Sequence, residues 1–145
     1  MREDYEITII GRQTIDAQTD EIQVDTLGDY TERGGAKYIS YTEYADEAPY
    51  NGQLKVLKIE NEDTVTMLTP GTPTRLVLEK GKRHKCLYDT GAGVLSLGVY
   101  TQTLKHDLSD AGGELCIRYT LDIDTQLSSS NEICVRLRKR DLFNK

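Results

Sequence analysis

Apolar and polar residues alternate along most of the chain with a period of two, the spacing that turns one face of a β-strand to a core and the other to water. Residues Y5-E-I-T-I9, I22-Q-V-D-T26 and K37-Y-I-S-Y-T-E43 alternate cleanly. The same pattern returns in T64-V-T-M-L68, T74-R-L-V-L-E79, H84-K-C-L-Y88, V94-L-S-L-G-V-Y100, E114-L-C-I-R-Y-T-L-D-I-D124 and E132-I-C-V-R-L137. L54-K-V56 and L57-K-I59 also alternate, but on opposite faces, which predicts a bulge or bend near Val56–Leu57. Turn-forming residues fall between these runs: G34-G35, P49-Y-N-G52, E60-N-E-D63, P70-G-T-P73, K80-G81, G91-A-G93, G112-G113 and S128-S-S-N131. No segment keeps a helical period over a dozen residues, although K105-H-D-L-S-D110 has room for one turn.

About ten short strands with tight connections predict an all-β fold with little or no helix, either a sandwich or a closed antiparallel meander barrel of about 8–10 strands. Sequential hairpin turns favour the barrel, and Gly28 and Gly98 suit crowded corners in long bent strands. For the last hairpin, matching the apolar faces about Ser128 sets Tyr119 opposite Leu137 and Leu121 opposite Val135. That register places Cys134 opposite Asp122 and Cys116 opposite Arg140, so a disulfide between the two cysteines is not expected.

Composition refines this picture. The abundance of Thr and Tyr fits half-buried pleated surfaces, and 145 residues fit one domain spanning residues 1–145. No apolar run is long enough to span a bilayer as a helix, and M-R-E-D-Y-E-I lacks the parts of a secretion signal. With three cysteines and no CxxC spacing, the expectation is reduced thiols in a cytoplasmic protein. The net charge of −6 argues against nucleic acid as a partner. The clusters K80-G-K-R-H-K85 and R136-L-R-K-R140 read as solvated edges. His84 and Cys86 share a strand face, but two ligands without a second pair do not make a structural metal site; no metal or cofactor is expected.

Asp89-Thr90-Gly91-Ala92 matches the signature of retroviral-type aspartic proteases, which would require a homodimer supplying one Asp from each subunit. The apolar-apolar-Gly support expected roughly 60 residues downstream has little room, since only 56 residues follow Asp89. I9-I-G11 has that pattern but lies far upstream. Asp-Thr-Gly between two strands is also ordinary hairpin chemistry.

The ordered set I9-I-G, L27-G-D-Y, Y38-I-S-Y-T-E43, L54-K-V-L-K-I59, Y88-D-T-G-A-G93 and G113-E-L-C-I-R-Y-T-L121 resembles the YwiB-like family of small bacterial proteins, chiefly from Gram-positive lineages. The resemblance implies a calycin-like (lipocalin-like) β-barrel and supplies no catalytic residue. It makes Tyr88, Thr90 and Gly93 the structural residues of a turn, with Asp89 at a variable position. It also expects an Arg before Gly71, where this chain has Thr69-Pro70.

Glu43 shares a strand face with Ile39 and Tyr41, so it belongs inside the barrel or at its mouth. A buried carboxylate needs partners, and Arg75, Arg118 or a tyrosine hydroxyl could serve. Tyr41, Glu43, Arg75, Arg118 and Tyr119 are therefore the candidate ligand-binding residues. The functional expectation is a non-enzymatic barrel holding a small molecule. The alternatives are an interaction module with a side-chain-filled interior, or the dimeric protease.

Overall fold

In the computed structural model, residues 3–43, 52–89, 92–123 and 126–140 are described. The chain forms ten strands: β1 (Tyr5–Ile15), β2 (Gln18–Arg33), β3 (Ala36–Glu43), β4 (Gln53–Ile59), β5 (Thr64–Leu68), β6 (Arg75–Glu79), β7 (Arg83–Asp89), β8 (Val94–His106), β9 (Gly112–Ile123) and β10 (Gln126–Lys139). Each strand pairs antiparallel with the next, and β1 pairs with β10 from Tyr5↔Lys139 to Thr14↔Ser130, closing the barrel. Closure gives every strand a neighbour on both sides. Among the described residues, no helix is long and apolar enough to cross a membrane.

The two ends of the barrel differ. At the end holding the β2–β3 turn, the inward-facing residues form a packed core. Ile7, Ile39, Ile59, Val65, Leu78, Val99, Leu115, Ile117 and Val135 are all fully buried, and burial of such side chains contributes about 1.5–3 kcal/mol each. The loop at 107–111 closes this end. Leu108 is buried beneath the strands, its carbonyl accepts from Lys37 Nζ at 2.6 Å, and Tyr5 Oη donates to the Asp110 carbonyl at 2.8 Å. Tyr5 and Tyr30 pack edge to face, with centroids 5.9 Å apart.

Gly28 is where the wall is tightest. A Cβ there would overlap the Ser40 carbonyl oxygen, the Ile7 Cδ1 methyl and the Cβ of Tyr41, its cross-strand partner. Gly98 sits under the Arg83–Asp122 ion pair, in which Nε meets Oδ2 at 3.0 Å. Both positions are crowded, so neither has room for a side chain without its neighbours moving.

Five sequence expectations are corrected. The β9–β10 register sets Cys116 opposite Cys134 and Tyr119 opposite Asn131. The expected register was displaced by an even number of residues, which keeps every apolar face and so escapes the test of face agreement. The two cysteines form a disulfide across adjacent strands, with Cα atoms 4.2 Å apart, leaving Cys86 as the free thiol. β4 runs without a bulge near Val56–Leu57: its pairing with β3 is continuous from Lys37↔Ile59 to Glu43↔Gln53. Its inner face carries Leu57 and Ile59, while Leu54 is left exposed. The register shifts fall instead between Thr101 and Thr103 in β8 and between Leu127 and Ser129 in β10. Ser128–Asn131 lies within β10 rather than in a turn. Finally, residues 107–111 hold no helix; Ser109 and Gly112 exchange backbone hydrogen bonds at 2.9 Å in each direction.

The β6–β7 seam is the weakest in the wall. Its ladder register is limited to Arg75↔Leu87. Beside it, the Val77 N–H donates to Cys86 Sγ at 3.2 Å, so a side chain takes the place of a ladder carbonyl.

Candidate functional site

Period-two geometry carries Ile9, Gly11 and Gln13 of β1 to the barrel's inner face, with Asp20, Ile22, Val24 and Thr26 of β2 opposite them. Tyr41 and Glu43 of β3, Tyr119 of β9 and Asn131 and Ile133 of β10 join them at the end away from the packed core. Here the interior is not filled. These residues surround a cavity of about 680 Å³, within the size range of small-molecule sites. Ile22 faces inward yet remains 64% exposed, and Val24 41%. Gly11 contributes no side chain; a Cβ there would meet only Ile22, at 3.5 Å.

Tyrosines form the inner boundary of this space. Tyr41 is only 8% exposed, and among the described residues its hydroxyl has no hydrogen-bond partner. Burial, then the nearby charge of Glu43 and coupling to Tyr119, push its pKa up to about 12. Tyr119 is raised by burial and then by Tyr88. Both phenols therefore stay neutral at ordinary pH. Glu43 is exposed at the mouth.

Of the five predicted site residues, the fold gathers Tyr41, Glu43 and Tyr119 at one cavity. Arg75 and Arg118 are corrections, because both lie on the outer face. Arg118 follows the buried Ile117 and precedes the inward Tyr119, so its side chain points away; its Nε meets Glu132 Oε2 at 3.3 Å. Arg75 precedes the buried Leu76 and is exposed. Neither can pair with Glu43. Residues not singled out from sequence complete the wall: Gly11, Asp20, Ile22, Val24, Asn131 and Ile133. Alternation placed Ile22 and Val24 inward, but nothing in the pattern distinguishes a filled section of barrel from an open one.

Other candidates fall elsewhere. The β7–β8 hairpin forms as expected, with Asp89 opposite Val94 and the Asp89 N–H donating to Thr74 Oγ1 at 2.9 Å. Gly93 has a φ of 156°, and Thr90 lies outside the described residues. His84 Nε2 is 2.9 Å from Glu79 Oε1, while Cys86 is buried with its thiol pKa raised, chiefly by burial. Among the described residues, no group of three or more His, Cys, Asp or Glu gathers as a metal site. Tyr38 sits on the outer face, its ring 5.8 Å from the Arg33 guanidinium and 5.9 Å from the Lys58 ammonium.

A family profile described as a domain of unknown function, DUF1934, matches residues 7–135. Among solved structures, the crystal structure of the ywiB protein from Bacillus subtilis is similar with a TM-score of 0.81 and 18% identity, covering 94% of this chain and 91% of that one. At that identity the likeness is one of fold. No curated protein matches.

Proposed function

The chain belongs to the DUF1934 family, a domain of unknown function, and from the site itself we propose that the barrel is a non-enzymatic binder of a small, largely apolar ligand. In this reading it works as a lipocalin-like calyx, closed at one end and loaded at the other. The observation that carries it is the half-filled interior. Ile22 and Val24 point into the barrel yet stay exposed around a cavity of about 680 Å³, where a side-chain-filled barrel would bury them. Gly11 keeps the wall thin at that level. The packed lower half supplies the rigid scaffold on which such a site depends.

The test is binding of the neutral fluorophore N-phenyl-1-naphthylamine. The expected result is saturable enhancement at one probe per chain, abolished in Gly11→Phe, whose ring occupies the cavity. Circular dichroism and the thermal midpoint establish that the variant folds. No saturable binding to the parent protein, or equal binding by a folded Gly11→Phe, rejects the proposal in favour of a side-chain-filled interaction module.

A further inference from the structure

We infer that the upper edge of β2 is where a second copy of this chain docks, its own β2 lying antiparallel to the first across a twofold axis at Ile22. The inference goes beyond the cavity reading and does not rest on it. β2 runs past its neighbour on one side: it pairs with β1 continuously from Gln18 to Gly28, but its pairing with β3 stops at Gly28↔Tyr41. Among the described residues, the stretch 19–25 therefore has β1 on one edge and no strand on the other. Such an edge presents a row of backbone donors and acceptors to an incoming strand. The stretch carries neither proline nor lysine, and its ladder with β1 has no bulge; those are the devices that commonly blunt an edge. Ile22, at its middle, is 64% exposed, the most of any large apolar side chain among the described residues.

The sequence of this edge selects both the occupant and the register. Facing residues of an antiparallel pair share one side of the sheet, so a twofold axis between two copies must pass beside a single residue, not between two. Centred on Asp20, Glu21 or Asp25, the pairing sets an acid against its own copy; centred on Gln23, it sets Glu21 against Asp25. Like charges directly opposite are unfavourable. Centred on Val24 or Thr26, the ladder runs into Gly28, already paired with Tyr41. Centred on Gln18 or Thr19, it runs off the strand at the turn of Asp16 and Ala17. Centred on Ile22, it uses all of residues 19–25 and no acid faces an acid. Ile22 then meets Ile22 of the second copy, Asp20 meets Val24, Glu21 meets Gln23 and Thr19 meets Asp25. On the outer face, the Gln23 amide and the Thr19 hydroxyl bring donors to the Glu21 and Asp25 carboxylates of the other copy. On the inner face, Ile22 is withdrawn from water. Asp20, Ile22 and Val24 also line the cavity, so the second copy continues the cavity wall on the side where β3 ends.

The test is sedimentation velocity of the full chain across the micromolar range, where a concentration-dependent monomer–dimer equilibrium is expected. Gln23 is exposed and sits between the inward Ile22 and Val24, so its replacement leaves the cavity lining unchanged. Gln23→Glu, which adds an acid opposite Glu21, should raise the dissociation constant about tenfold, and Gln23→Lys should lower it. Under mild oxidation, Ile22→Cys should cross-link to its own copy. Val24→Cys, which faces Asp20, should not, nor should the parent, whose free Cys86 is buried. Thermal midpoints establish that each variant folds. A monomer at every concentration, a dimer indifferent to both Gln23 substitutions, or equal cross-linking of the two cysteine variants overturns the inference.

Discussion

Reducing the Cys116–Cys134 bond perturbs stability at a place where its size can be worked out. The bond closes a loop with a sequence separation of 18. Chain-entropy arithmetic for a loop of that length gives about 3 kcal/mol at room temperature. Residual hairpin structure in the denatured chain makes this an upper value. For 145 residues, the unfolding entropy at the midpoint is about 0.3 kcal/mol/K, so reduction should lower the Tm by up to about 10 °C. The flanking inward pairs Leu115↔Val135 and Ile117↔Ile133 hold the register without the bond, so the reduced protein should still fold. The assay is thermal unfolding with and without dithiothreitol, alongside Cys116→Ser/Cys134→Ser, which should melt with the reduced protein and ignore the reductant. Thiol titration of the denatured, unreduced chain should find Cys86 alone reactive. All three cysteines reacting before reduction, or an unchanged midpoint after verified reduction, would refute this reasoning.

Gly28→Ala should destabilise the barrel by about 1–3 kcal/mol in a denaturant titration, because its methyl must displace a backbone oxygen, the Ser40 carbonyl, as well as side-chain atoms. Asp16 and Ala17 turn the β1–β2 hairpin with φ of 50° and 66°, so Ala17→Gly should gain about 0.5 kcal/mol net of the added freedom of the unfolded chain, read as a raised midpoint. Tyr41 ionises at about 12 against an ordinary 10.0. Tyr5, Tyr30 and Tyr119 are raised too, all chiefly by burial. The folded state thus holds phenolic protons that the unfolded state releases first. Its advantage is complete below pH 10 and is lost as pH rises towards 12; denaturant midpoints across that range should fall, and a flat profile would contradict the burial.

Strand identity was legible in the sequence because alternation is a local property, and each of the ten runs contains its own evidence. Register was not, since faces survive an even slip and only the turn fixes alignment. β9 and β10 pair from Ile123↔Gln126 onward, and the sequence at that junction has no glycine or proline to mark it. The turn at Asp16–Ala17 went unmarked for the same reason. At the site, parity correctly sent Tyr41, Glu43 and Tyr119 inward. The same parity applied to Arg118, the immediate neighbour of Tyr119, excludes it as a partner for Glu43. Gly11 could not be recognised, because its contribution is an absent side chain at a level of the barrel set only by closure.

The central claim, an open cavity bounded by Tyr41 and Tyr119 that takes a ligand, is tested most directly by NMR of the protein with ¹³C-labelled tyrosine rings, titrated with N-phenyl-1-naphthylamine. Resonances of Tyr41 and Tyr119 should move and saturate at one equivalent, while Tyr5 and Tyr30 in the packed end and Tyr38 on the outer face stay in place. No saturable movement at Tyr41 and Tyr119, or movement confined to Tyr38 on the outer face, would contradict it.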